Sequence, residues 1–204
     1  DLDHVIQQIK KDYQNIPITL LGHSMGSFIV QGYMQSRQNK SIKHVILTGS
    51  AYEPPLLTWF ARNVMLVLGK LFSYKKPATY VQKLLFGSYN LNIKNKKTAF
   101  DWLSRNQENV ANYINDPYCG FSCSYGFFHT LFTGLNTIYK KNNIARFPND
   151  IPITLISGLE DPLSKNGKTV KTLVKQYKKS GCKHVSLHLI EKCRHEVLNE
   201  KNSI

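Results

Sequence analysis

Several things are scarce or missing in this chain of 204 residues, and each absence removes a class of protein. Cysteine is sparse: Cys119, Cys123, Cys182 and Cys193 fit neither a disulfide framework nor a standard zinc spacing, so they read as free thiols in a reducing compartment. Cys119-x3-Cys123 with Cys193-x-His195 makes a poor metal set, and no metal is expected. No stretch approaches the eighteen or so uninterrupted apolar residues of a membrane span. A glycine-rich phosphate loop is missing as well, and nothing calls for a cofactor. No secretory signal is visible, which leaves the cytoplasm as the default location.

Acidic residues are also in deficit, 13 against 27 Lys and Arg, for a formal net charge of +14. The excess is lysine spread along the chain beside abundant asparagine, with small clusters at 94–97, 140–141 and 168–179. None of these joins a groove-reading helix to interleaved aromatics, so no nucleic-acid partner is predicted. Attraction to an acidic lipid surface fits the charge better, and peripheral membrane contact would suit a lipid substrate. Oligomeric state is left open.

What is present is a globular composition, 42% hydrophobic, in a length sufficient for one sizeable core. Ile18-Thr-Leu-Leu-Gly22-His23-Ser24-Met25-Gly26-Ser27 reads as an apolar strand that breaks into a helix through Gly-x-Ser-x-Gly. That turn lifts a serine hydroxyl clear of a sheet, and Ser24 is the candidate nucleophile. Gly22 and Gly26 are expected to leave room where a Cβ would strike a neighbouring element. The Met25 backbone N–H, at the start of the helix, is aimed at an oxyanion.

The partners follow in the order such a turn requires, serine, acid, histidine. Ile153 to Gly158 reads as a strand followed by Leu159-Glu160-Asp161-Pro162, and Asp161 is the candidate acid; Glu160 is its competitor, but the Asp-Pro pair suggests a turn that fixes the aspartate. Val185 to Ile190 reads as a further strand followed by the loop that carries His195, the candidate base. In a parallel sheet such loops converge at the carboxyl ends of the strands. His195 would take the proton of Ser24, while Asp161 would hold the imidazole in one tautomer. His188 and His44 fall within or at the start of strands and read as packing or surface residues. His23, beside Ser24, reads as packing beneath the site, with lining of a substrate-binding pocket as the alternative.

Five blocks, Gly22-His-Ser-Met-Gly26, Asp101-Trp-Leu-Ser-Arg105, Asp116-Pro-Tyr-Cys-Gly-Phe121, Ser157-Gly-Leu-Glu-Asp-Pro162 and Arg194-His-Glu-Val-Leu-Asn-Glu200, resemble the monoacylglycerol lipase and lysophospholipase branch of the α/β-hydrolases, the serine aminopeptidase S33 type. The resemblance runs over nearly the whole chain and implies Ser24, Asp161 and His195 in the same three roles. It also implies about eight strands. Only four can be placed: Ile18 to Gly22, His44 to Ser50, Ile153 to Gly158 and Val185 to Ile190. Leu2, Val5, Ile6, Ile9 and Tyr13 recur at helical spacing before the first of them. The chain begins with Asp1, so the reading is a single α/β-hydrolase domain that lacks its N-terminal third, a piece of a protein of about 300 residues. The loop that carries the second oxyanion donor in this fold would belong to the absent part, and the serine-bearing strand would show an open edge. Weak catalysis and a tendency to associate are expected of such a piece.

About a hundred residues separate the second and third strands, far more than a simple crossover needs. Residues 52–147 therefore read as a helical cap. Leu56 to Phe72 is apolar on most sides and needs an apolar partner, and an aromatic-rich stretch from Tyr113 to Phe132 suits a pocket for an acyl chain. The expected function is hydrolysis of carboxylic esters, lipid esters such as monoacylglycerols or lysophospholipids, through an acyl-enzyme on Ser24. The alternatives are an S33-type aminopeptidase and a catalytically silent lipid-binding protein of the same fold.

Overall fold

A computed structural model describes residues 1–14, 16–37, 39–91 and 93–201. In chain order it contains helix α1 (Leu2–Asp12), strand β1 (Ile18–His23), helix α2 (Met25–Ser36), strand β2 (Ile42–Thr48), helices α3 (Pro55–Phe72), α4 (Thr79–Gly87), α5 (Gln107–Asn115), α6 (Tyr125–Ile138) and α7 (Lys141–Ile144), strand β3 (Ile153–Gly158), helix α8 (Lys168–Lys179) and strand β4 (Val185–Ile190). No helix among the described residues is long and apolar enough to cross a membrane.

The four strands form one sheet in the order β1-β2-β3-β4, every pair parallel. Burial follows from that order. Among the described residues β2 and β3 lie inside the sheet and carry Val45, Leu47, Ile153 and Leu155, all fully buried, whereas β1 and β4 at its edges are half-buried or exposed at every position but Gly22. The second strand runs from Ile42 to Thr48, two residues earlier than the His44 to Ser50 expected from sequence. Ile42 is buried and already registers with Ile18 of β1, and Gly49 turns the chain out of the sheet with a φ of +54°.

Helix α8 shows how the surface lysines coexist with a core. Val170, Leu173 and Tyr177 recur at helical spacing on its buried face, and the lysines stand mainly on the others. The Tyr177 hydroxyl donates to Gln31 Oε1 (2.9 Å), and Gln31 Nε2 in turn donates to the Ser27 carbonyl and to Ser50 Oγ. This buried network ties α8 and α2 to the loop after β2. The stripe on α1 is divided: Ile6 is buried and Leu2 packs on the core, but Val5, Ile9 and Tyr13 are exposed among the described residues.

The apolar partner that α3 needs is α6, the helix with which it makes its most extensive packing. Met65, Ala78 and Phe128 form the buried centre of this second cluster, with side chains of α3, α4 and α6 around them. Pro54 and Pro55 set the start of α3, where a missing N–H costs the helix nothing. All four cysteines are free thiols, Cys182 and Cys193 buried, Cys119 and Cys123 half-buried.

Candidate active site

Ser24 sits between β1 and α2 with φ 51° and ψ −122°, a backbone conformation that costs a non-glycine residue on the order of 1–3 kcal/mol. The turn is held on both sides: the Ser24 N–H donates to the Thr48 carbonyl, and Ser27 returns both its N–H and its hydroxyl to the Ser24 carbonyl. Gly22 is required, because a Cβ there would lie 2.7 Å from the Gly26 carbonyl oxygen and 2.8 Å from Ser27 Cα. Gly26 differs from the sequence expectation. A Cβ on it would meet nothing within 4 Å among the described residues, and Met25 and Ile29 nearby are exposed.

The structure brings Ser24, His195 and Asp161 into one line. Ser24 Oγ is 2.9 Å from His195 Nε2, and His195 Nδ1 is 3.2 Å from Asp161 Oδ1. An ionised carboxylate can only accept, so the proton belongs on Nδ1 and Nε2 is left to accept from the serine hydroxyl. Asp161 and His195 are both buried. Asp161 Oδ1 also accepts from the Leu163 N–H (2.9 Å), while Oδ2 is buried without a partner among the described residues. Glu160 points elsewhere, to Arg194 Nε at 3.8 Å. His44 pairs with Thr154 Oγ1 in the sheet, and His188 is exposed.

The loop that carries His195 is fixed from two directions. A Cβ on Gly158, the last residue of β3, would lie 2.1 Å from the Cys193 carbonyl oxygen and 2.2 Å from that of Arg194. Only a bare backbone lets the loop come so close. From the other side, residues 97–105 grip it: Arg194 donates to the carbonyls of Asp101 and Ser104, and the Glu196 N–H donates to the Leu103 carbonyl. The Glu200 carboxylate accepts from the N–H groups of Arg105 and Arg194. The Trp102 ring lies against the imidazole, with centroids 5.1 Å apart. Asp101 stabilises this grip by accepting from the Thr98 hydroxyl and the Lys97 N–H. Burial pushes its carboxyl up, but these donors and nearby Arg194 outweigh that and hold it below the ordinary aspartate value.

His23 lies beside the His195 ring and is not among the described residues of the cavity beyond it. Its ring centroid is 5.0 Å from that of His195, and Nδ1 meets Thr48 Oγ1 at 2.9 Å. Burial first, then the neighbouring His195, lowers its pKa, which keeps it neutral at pH 7. It packs beside the imidazole and is not among the described residues that line the cavity over Ser24.

That cavity, about 380 Å³, opens on Ser24 and His195 and runs between α3, α4 and α6. Leu57, Leu85, Phe86, Phe128, Leu131 and Phe132 make its walls largely apolar. Trp102 forms part of it, and Glu53 and Tyr89 stand among the lining groups. None of these three carries a signal in the sequence that separates it from ordinary packing; Asp101-Trp-Leu-Ser-Arg105 was visible only as part of a resemblance.

No curated protein sequence matches the chain. A carboxyl esterase from Bacillus coagulans, solved with glycerol, is similar in structure at a TM-score of 0.85 and 26% identity, over 97% of this chain and 64% of that one. A lipase solved in an open form is similar at a TM-score of 0.84 and 26% identity, over 98% of this chain and 64% of its own. A monoglyceride lipase from Saccharomyces cerevisiae shares the fold at a TM-score of 0.68 and 17% identity, over 98% of this chain and 61% of that enzyme. The chain thus spans about 64% of the length of the first two. Its four-stranded parallel sheet is that of an α/β-hydrolase, and the profile of the Hydrolase_4 family, described as serine aminopeptidase S33, matches residues 1–202. The chain belongs to that family.

Proposed function

We propose that this chain carries the nucleophile, base and acid of a serine hydrolase that cleaves carboxylic esters with an apolar acyl group. The observation that carries the reading is the hydrogen-bonded line from Ser24 through His195 to Asp161, set at the mouth of a cavity with apolar walls. The similarity to a carboxyl esterase and a lipase, each at 26% identity, supports ester cleavage over peptide cleavage.

In this reading the acyl chain enters between α3, α4 and α6, and its carbonyl carbon comes to rest beside Ser24 Oγ. His195 Nε2 takes the hydroxyl proton as Oγ attacks, and Asp161 stabilises the imidazolium without itself being protonated. The Met25 N–H, at the first position of α2, has no partner within its own helix and supplies one donor to the oxyanion. His195 then returns the proton to the departing alcohol, leaving an acyl-enzyme that water resolves by the same route reversed. Residues 52–147 act as the cap that excludes water from this step. Monoacylglycerols and lysophospholipids are the substrates that best match a long apolar cavity ending at a polar site.

The test is a series of p-nitrophenyl esters of increasing chain length. Rising kcat/KM from acetate to long acyl groups is the expected result. Hydrolysis of acetate alone would contradict a lipid substrate, and cleavage of amino-acid anilides with no ester activity would favour the aminopeptidase alternative.

A further inference from the structure

The cavity over Ser24 has the opposite electrical character to the chain around it. The chain carries 27 Lys and Arg against 13 acids, yet among the described residues no Lys or Arg lines this cavity, and the one acidic residue that does is Glu53. A basic surface gathers anions, so a site meant for anionic lipids would be expected to continue that sign inward. Here the sign reverses.

The backbone at Glu53 is also held in place. It lies between Tyr52, whose ring packs against Tyr139 at 5.0 Å, and Pro54, which confines the residue before it to extended backbone. The Tyr139 hydroxyl donates to the carbonyl of Ala51, so the approach is pinned two residues earlier. No hydrogen bond or ion pair to the Glu53 carboxylate is found among the described residues. Lys165 is the cation that acts on it from a distance, and burial, the larger influence, raises its pKa. A half-buried acid with no partner among the described residues has its acceptor capacity free for a ligand. Tyr89, another lining residue, keeps its proton, because burial and then the charges of Glu53 and Asp161 push its pKa up. Its hydroxyl is a neutral group that can donate to a ligand oxygen or accept from a ligand hydroxyl.

We propose that Glu53 is a specificity-determining residue: a fixed negative charge in the cavity that accepts hydrogen bonds from uncharged, hydroxyl-bearing head groups and turns away substrates carrying phosphate or carboxylate beside the ester. This rests on the ester-hydrolase reading for its meaning, and it divides the substrates named there, keeping neutral glycerol esters and rejecting anionic lysophospholipids.

The experiment measures binding, so it does not depend on turnover. The full chain bearing Ser24→Ala is titrated with two non-hydrolysable ligands of equal chain length, a dodecyl glycerol ether and dodecyl phosphate, at about 0.15 M salt to screen the basic surface. The glycerol ether is expected to bind on the order of tenfold more tightly or better, the scale of one like charge at a partly desolvated site. Adding Glu53→Gln, which keeps the shape, should bring the two affinities close together, and Glu53→Lys should reverse their order, with circular dichroism confirming the fold of each. Equal binding of both ligands before Glu53 is changed would overturn the proposal, as would a preference that survives Glu53→Gln. Binding of neither ligand would overturn it too, since the cavity would not then hold an alkyl chain. Selective binding by a chain whose Ser24 fails to react with a phosphonate probe would sink the hydrolase reading and leave the charge selection standing.

Discussion

The loops at the carboxyl ends of the strands and the helices between β2 and β3 are held by different forces. The loops around Ser24, Asp161 and His195 are fixed by buried polar contacts with one geometry each: Ser27 on the Ser24 carbonyl, Leu163 on Asp161, Glu200 on Arg105 and Arg194. The helices α3, α4 and α6 are held by Met65, Phe128 and their apolar neighbours, where many shapes of similar volume would serve. A catalytic line needs the first kind of support because an error of about 1 Å in position costs about 10²-fold in rate. A cavity with apolar walls tolerates the second, since apolar attraction has no preferred direction.

Removing the reacting groups tests this contrast with the largest effect. Ser24→Ala and His195→Ala should each lower kcat for a p-nitrophenyl ester by about 10⁶-fold, and Asp161→Asn by about 10⁴-fold, with unfolding midpoints close to the parent's. A loss under tenfold for His195→Ala would break the assignment of the base.

Met65→Ala probes the other region. Met65 is buried in the α3–α6 cluster and does not line the cavity, so urea unfolding should show about 2–5 kcal/mol less stability. The kcat for a short ester should stay within a few-fold of the parent. Gly158→Ala should do the reverse in proportion: its Cβ would strike the carbonyls of Cys193 and Arg194, moving the His195 loop, and kcat should fall by about 10²-fold for a stability loss of about 1–3 kcal/mol.

Asp101→Asn sharpens the comparison through pH. Its folded-state pKa lies below the ordinary value, so the stabilisation is present above about pH 4 and is lost as pH falls through the lowered folded value. At pH 7 the substitution should cost about 1–3 kcal/mol, and the gap between variant and parent should close on acidification; a gap that persists at low pH would contradict the assignment. The smallest effect belongs to the exposed pair Lys183 and Asp150, 2.7 Å apart; Lys183→Ala should leave the urea midpoint unchanged.

The same contrast decides what could be read in the sequence. Ser24, Asp161 and His195 were legible because each follows an apolar strand, and chain order carries the information. Residues that act through contacts between distant stretches were not. Trp102 meets His195 across 93 positions, and neither has a local pattern that announces the other. Glu53 looks like any polar residue before a pair of prolines until the helices close over it. Gly26 is different: the motif implies a steric need, and among the described residues nothing lies within 4 Å of a Cβ there. The early start of β2 reflects burial of Ile42, set by its neighbour β1 and invisible to local propensity.

The most direct measurement is reaction of the folded chain with a fluorophosphonate, followed by mass mapping of the adduct. A single adduct on Ser24, suppressed in His195→Ala and absent in Ser24→Ala, is the predicted result. Labelling at another serine, or no labelling of a chain shown to be folded, would contradict the account.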